Sequence, residues 1–356
     1  MISKKSLHAD WLEEVSSSNR KADKILIEKV IRALLLLEGL SKSRLDFVFK
    51  GGTALMLLTK STKRLSIDID IIVSGQSGLE DLFQLFLEEQ GFSRFEPQKR
   101  SAATKIEKAH FKFFYHPVHR YGMAEDYVLL DILFEKPHYT DMIDQPIDSA
   151  FVIQSGEPIT VKVPGHEDLL GDKLTAFAPN TTGIPYEKNG DNRSMEIIKQ
   201  LYDIGSLLEY ANEASVVAKT FSLFALTELG YRDCGLDVEA VLDDIYQTSL
   251  HICSRGSEGN GRFDLLMKGI TQVRRYIFSE SYHIDRAIVD ASRAAYVAKT
   301  IQHGIPNFNK YTNPSDVKDL TIDQSFNSKL NKLKKGNPEA FFYWHQIFLM
   351  EKGDFI

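Results

Sequence analysis

Across residues 65–73 apolar and polar side chains alternate, and two of the polar positions are Asp68 and Asp70. A strand sends successive side chains to opposite faces, so Ser66, Asp68 and Asp70 are expected on one side and Ile67, Ile69 and Ile71 on the other. Two carboxylates aimed at one point repel each other unless a cation neutralises them or one takes up a proton. The chain has only two cysteines, Cys234 and Cys253, too few for a disulfide framework or a cysteine-rich zinc site. Oxygen ligands alone favour Mg2+ or Mn2+.

Just upstream lies Lys50-Gly51-Gly52-Thr53-Ala54-Leu55, after a short apolar strand at residues 46–49. Paired glycines between a strand and a helix let backbone N–H groups approach a ligand, and the helix beginning near Thr53 offers its positive end to a phosphate. A third acid, Asp131, stands in the middle of Tyr127-Val128-Leu129-Leu130-Asp131-Ile132-Leu133-Phe134. A strand otherwise buried bears a heavy cost for such a charge unless it is used. If this strand neighbours that of Asp68 and Asp70, three carboxylates converge as two-metal phosphoryl or nucleotidyl transfer requires. Singly, a Gly-Gly pair is most often an ordinary turn and an Asp-x-Asp a solvated strand face. Their joint order of strand, turn, helix and strand, with the third acid, is what points to catalysis.

The texture changes near residue 165. Before it, helical spacing at residues 19–38 and 79–90 is interleaved with strand patterns at 94–115 and 127–134. Residues 151–154 and 159–163 flank Ser-Gly-Glu-Pro and read as a hairpin. After it, helical patterns dominate at 197–210, 214–229, 238–250, 263–276 and 284–301. Two domains, 1–165 and 166–356, are therefore expected. The aromatic run Phe341-Phe342-Tyr343-Trp344 reads as core or interface.

The glycine turn followed by Asp-x-Asp resembles the nucleotidyltransferase superfamily. More narrowly, Lys50-Gly51-Gly52-Thr53-Ala54-Leu55 with Arg64-Leu65-Ser66-Ile67-Asp68-Ile69-Asp70 is similar to the AbiEii/AbiGii toxins of abortive-infection, type IV toxin–antitoxin systems. The likeness continues in Asp168-Leu169-Leu170-Gly171-Asp172-Lys173-Leu174-Thr175-Ala176 and in a block from Arg193 through Lys199-Gln200-Leu201-Tyr202-Asp203. Gln200 stands where the family often carries the first of two acids. The resemblance implies an α+β fold: a polymerase-β-like mixed sheet with flanking helices, then a helical C-terminal domain closing the active-site cleft. It implies a Mg2+-dependent (or Mn2+-dependent) enzyme that transfers NMP from an NTP to an acceptor hydroxyl. That acceptor would be an RNA, the 3′ end of tRNA, and a cognate antitoxin would accompany the enzyme. Asp68, Asp70 and Asp131 would bind metal and catalyse, joined by Lys173 and Asp203. Gly51, Gly52, Thr53, Arg64, Ser66, Lys173 and Lys199 would hold the nucleotide.

Each assignment has a plainer competitor. Lys173 suits a helix surface paired with Asp168 or Asp172, and Lys199 and Asp203 are spaced as an i,i+4 ion pair. Ser66 suits a solvated face, and Arg64 a brace for the motif. His116 and His119 have no third ligand in matching context for zinc, and the glycine turn lacks the Gly-Lys-Ser/Thr of a P-loop.

A formal charge of −6 repels a polyanion on average, so a nucleic-acid partner needs a local basic surface. Arg94, Lys99, Arg100, Lys105, Lys108, Lys112 and Arg120, with His110 and interleaved aromatics, offer one; a solvated strand pair explains the pattern equally well. With 43% hydrophobic and 26% charged residues, no apolar leader and no run long enough to span a bilayer, a cytoplasmic protein without membrane partners is expected. A small-molecule, antibiotic-type acceptor and an inactive nucleotidyltransferase-fold binding module are the competing functions.

Overall fold

The computed structural model describes residues 1–43, 45–59, 63–75, 78–98, 108–119, 122, 124–232 and 235–354. Two compact units emerge: residues 1–165 with Arg275–Ser281, and His166–Arg274 with Tyr282–Ile356.

The first unit begins with helices α1 (Ala9–Ser18) and α2 (Lys24–Lys42). The Asp23 side chain caps α2 by accepting from Ile25 N at 2.8 Å, and its Ile27, Val30, Ile31 and Leu34 are fully buried. Strand β1 (Phe47–Lys50), helix α3 (Gly51–Leu58), strand β2 (Ile69–Val73) and helix α4 (Leu79–Phe86) follow, then strands β3 (Arg94–Pro97), β4 (Lys108–Tyr115) and β5 (Asp126–Phe134). The mixed sheet runs β1-β2-β5-β4-β3, with β2 and β5 parallel and the other neighbours antiparallel.

One face of this sheet carries Phe49, Ile71, Phe111, Phe113, Tyr115, Val128, Leu130 and Ile132, all buried. Helix α4 covers it through Phe83, whose ring meets Phe111 at 5.0 Å and Phe113 at 5.2 Å edge-on; α2 covers it through Arg32, 4.6 Å over the Tyr115 ring. Period-2 burial leaves the opposite face half-open, and the acids stand there.

The hairpin expected around Ser155–Pro158 does not form. Strand β7 (Thr160–Pro164) pairs instead with β6 (Met142–Pro146), and Gln154 bridges to Ile2. β6 has little alternation to mark it, and a strand partner is chosen by tertiary burial rather than by the nearest turn.

The second unit is helical: α5 (His166–Ala176), α6 (Ser194–Leu208), α7 (Ala214–Arg232), α8 (Val238–Cys253), α9 (Phe263–Val273), α10 (Ile284–Gln302), a one-turn α11 (Leu333–Gly336) and α12 (Pro338–Lys352). A Cβ on Gly205 of α6 would meet Asp290 Oδ1 of α10 at 2.2 Å, so this helix pair packs closer than any side chain there permits. Phe341, Tyr343 and Trp344 of α12 are core residues, at 3% exposure or less. Among the described residues no helix is long and apolar enough to cross a membrane.

Candidate active site

Strand register assembles the site. Lys50 of β1 pairs with Asp70 of β2, Asp70 with Asp131 of β5, and Asp131 with His110 of β4. Directly paired residues share a face, so these four side chains form one row across the sheet, with two carboxylates at its centre. Asp131 keeps 32% of its side chain exposed and His110 12%, and His110 Nδ1 meets Asp131 Oδ1 at 2.5 Å. Asp68 sits one residue before β2, on an irregular stretch, because the regular strand starts at Ile69 rather than at Leu65. Its position is fixed through its backbone: the fully buried Thr53 donates Oγ1–H to the Asp68 carbonyl at 2.7 Å.

The two glycines are explained by what lies against them. Gly51 has φ +82, and a Cβ there would fall 2.1 Å from Asp70 Oδ2. A Cβ on Gly52 would fall 2.5 Å from Arg64 Nη2 and 2.6 Å from Ser66 Oγ. The chain at the start of α3 thus runs directly under Asp70, Arg64 and Ser66. Arg64 is buried and donates Nη1–H to the Leu65 carbonyl at 3.2 Å. The stretch between α3 and β2 is held by Arg275–Ser281: Arg64 bridges Ile277, Leu65 N donates to Tyr276 O at 2.7 Å, and Ser279 Oγ donates to the Lys63 carbonyl at 2.8 Å.

A separate polar cluster lies inside the helical unit. Lys173 of α5 is 7% exposed and Asp203 of α6 is 1%. The Lys173 ammonium stands 3.0 Å from Asp203 Oδ2 and donates to Gln200 Oε1 at 3.0 Å. Lys173 is therefore buried rather than on a helix surface, and Asp168, fully buried, accepts from Thr220 Oγ1. Lys199 is half-buried on α6.

Of the basic stretch, Lys108, His110 and Lys112 share the open face of β4, Lys108 exposed and the Lys112 ammonium 4.2 Å over the Tyr127 ring. Arg94 is engaged by Glu96 and, at 2.9 Å, by Glu125. Lys99, Arg100, Lys105 and Arg120 lie outside the described residues, as does Cys234.

Among the described residues no group of three or more His, Cys, Asp or Glu is placed to cage a metal ion. Of the three acids expected to converge, Asp70 and Asp131 stand in register and Asp68 lies at the strand's threshold. That donor set still fits Mg2+, which is commonly held by one or two carboxylates and completed by substrate phosphates. Sequence reasoning placed His110 only in a basic stretch and treated Gln200 only as a replaced acid. Gln200 lies three residues before Asp203 on one helix, a spacing that could have signalled their shared face; nothing local pairs His110 with Asp131.

No curated protein matches the chain. Among solved structures, MenT4, a nucleotidyltransferase toxin from Mycobacterium tuberculosis H37Rv, is similar at 13% identity and TM-score 0.50, over 82% of this chain and 89% of that one. A protein from H. pylori described as a nucleotidyltransferase is similar at 15% identity and TM-score 0.42, over 78% and 94%. The nucleotidyl transferase AbiEii toxin family of type IV toxin–antitoxin systems matches residues 35–266. That span takes in the glycine turn, the acid row and the Lys173–Asp203 cluster, and with well over half of its length matched the chain belongs to the AbiEii family of nucleotidyltransferase toxins.

Proposed function

We propose that the protein transfers NMP from a Mg2+-bound NTP to a hydroxyl of RNA, at the 3′ end of tRNA, and that a cognate antitoxin restrains it. The observation that carries this reading is the placement of Asp70 and Asp131 side by side on parallel strands, next to a glycine turn that opens a helix. The divalent ion, when bound, would supply charge neutralisation of the triphosphate and a lowered pKa for the attacking hydroxyl.

The chain's own residues supply the rest. Asp70 and Asp131 would hold the ion, with Asp68 oriented by its backbone tether to Thr53. The first N–H groups of α3, at Gly51 and Gly52, donate to phosphate oxygens. Arg64 and Ser66, lying against Gly52, flank that phosphate position. Asp131 is the group beside which the acceptor hydroxyl loses its proton. Family likeness assigns nucleotide binding to Lys173 and Lys199 and a catalytic role to Lys173 and Asp203. Lys108 and Lys112, on the same sheet face as Asp131, give an RNA acceptor local positive charge despite the net charge of −6.

The test is transfer of label from each α-³²P NTP with Mg2+ to total tRNA, to protein or to an aminoglycoside mixture, beside Asp70→Asn and Asp131→Asn. Label on tRNA that both variants abolish, and that falls steeply with salt, supports the reading. Label on the drug instead identifies a small-molecule acceptor, and no transfer or NTP binding identifies a binding module.

A further inference from the structure

His110 is the residue of the acid row whose chemistry the proposed mechanism leaves unused. It lies on β4, directly opposite Asp131 on β5, with 12% of its side chain exposed against 32% for Asp131. Its Nδ1 stands 2.5 Å from Asp131 Oδ1, while its backbone carbonyl accepts from Gln98 N at 2.7 Å and fixes the strand beneath it. The neighbours on its face of β4, Lys108 and Lys112, are two residues away on either side. The ring is thus committed to the Asp131 carboxylate, which remains partly exposed.

We infer that His110 is a positioning residue: its Nδ1–H donates to Asp131 Oδ1 and fixes the carboxylate so that Oδ2 is the oxygen presented to the divalent ion. A carboxylate acting as a ligand is ionised and can only accept, so the proton of the contact belongs to Nδ1. Hydrogen bonds to ligating groups set their orientation, and removing such partners typically costs about 10- to 100-fold in metal affinity or activity. The inference rests on the proposed use of Asp131 as a metal ligand, and the experiment separates the two.

Binding of Mn2+ with a non-hydrolysable NTP analogue is measured by calorimetry on the full chain, for wild type, His110→Phe and His110→Asn. Phenylalanine keeps a ring but loses both nitrogens; asparagine keeps an N–H near the Nδ1 position. The expected result is a loss of about 10- to 100-fold in Mn2+ affinity for His110→Phe and near-native affinity for His110→Asn. In transfer assays kcat should fall with the affinity while KM for the RNA acceptor stays unchanged. Equal binding by His110→Phe and wild type overturns the inference, as does a loss in His110→Asn as large as in His110→Phe. Failure of wild type itself to bind overturns the use of Asp131 as a ligand and this role with it. Imidazole ¹⁵N spectra of the native protein add a readout that depends on no variant at His110: an Nδ1–H resonance that shifts in Asp131→Asn is expected, and an Nε2–H tautomer overturns the assignment.

Discussion

Replacing Gly51 by alanine separates catalysis from folding more cleanly than removing an acid. The backbone at Gly51 has φ +82, a left-handed conformation in which an L side chain costs about 1–3 kcal/mol. In a folding unit of this size each kcal/mol lowers Tm by roughly 2–4 °C, so a fall of roughly 2–12 °C is expected and the protein remains folded at 25 °C. The new methyl carbon would lie 2.1 Å from Asp70 Oδ2, 2.9 Å from its Cγ and 3.1 Å from its Cβ. Comfortable contacts between carbons lie near ~3.5–4.0 Å, so the carboxylate must retreat by about an ångström or turn away. A misplacement of that size in a catalytic constellation costs on the order of 100-fold. The assay is single-turnover transfer from an α-³²P NTP to tRNA, run well below the melting point recorded for each variant. Gly52→Ala serves as the comparison. Its added carbon would meet the far ends of Arg64 and Ser66, at 2.5 and 2.6 Å, and both can swing aside, so it should lose less activity than Gly51→Ala. If Gly51→Ala is folded and retains activity within about threefold of wild type, the close approach of Gly51 to Asp70 is not what holds the acid in place, and the argument from misplacement fails with it.

Two further outcomes follow from the helical unit. Lys173→Met removes the ammonium that stands 3.0 Å from Asp203, itself 1% exposed, and should cost about 3–5 kcal/mol in chemical denaturation, whereas Lys173→Met with Asp203→Leu should recover most of it; equal losses in both variants would show that the ion pair is not the source. Burial lowers the pKa values of His166 and His345 from their ordinary 6.5. Their contribution to stability is therefore complete above about pH 6.5 and is lost as pH falls through the depressed values. Tm should decline from pH 7.5 to 5.5, and His166→Phe combined with His345→Phe should flatten that decline; an unchanged slope in the double variant would assign it to other groups.

Much of the site is written in short-range patterns. Period-2 alternation puts Asp70 on the face opposite Ile69 and Ile71, and the buried-looking run around Asp131 marks that acid as exceptional. Both statements depend only on adjacent residues, and the observed burial of Ile69, Ile71, Leu130 and Ile132 agrees with them. Gly51 and Gly52 announce a turn for the same reason. Alternation overreaches at Leu65–Asp68, where the chain has polar and apolar residues in strand order but is pinned by Tyr276 and Ile277 instead of a sheet neighbour.

The sequence by itself determined that two acids follow a glycine turn at strand spacing, that a third stands in an apolar strand, and that a mixed α/β half precedes a helical one. It could do so because strand and helix periods are properties of consecutive residues. Only the tertiary structure decided that Asp70 stands beside Asp131 and Asp131 beside His110, that β7 pairs with β6, and that Lys173 reaches Asp203. It also decided that Arg275–Ser281 returns to brace the loop before β2. Each is a partner choice between segments distant in the chain, fixed by which faces are buried together. A register shift of one residue would turn every side chain of a strand to the other face while leaving its local pattern unchanged.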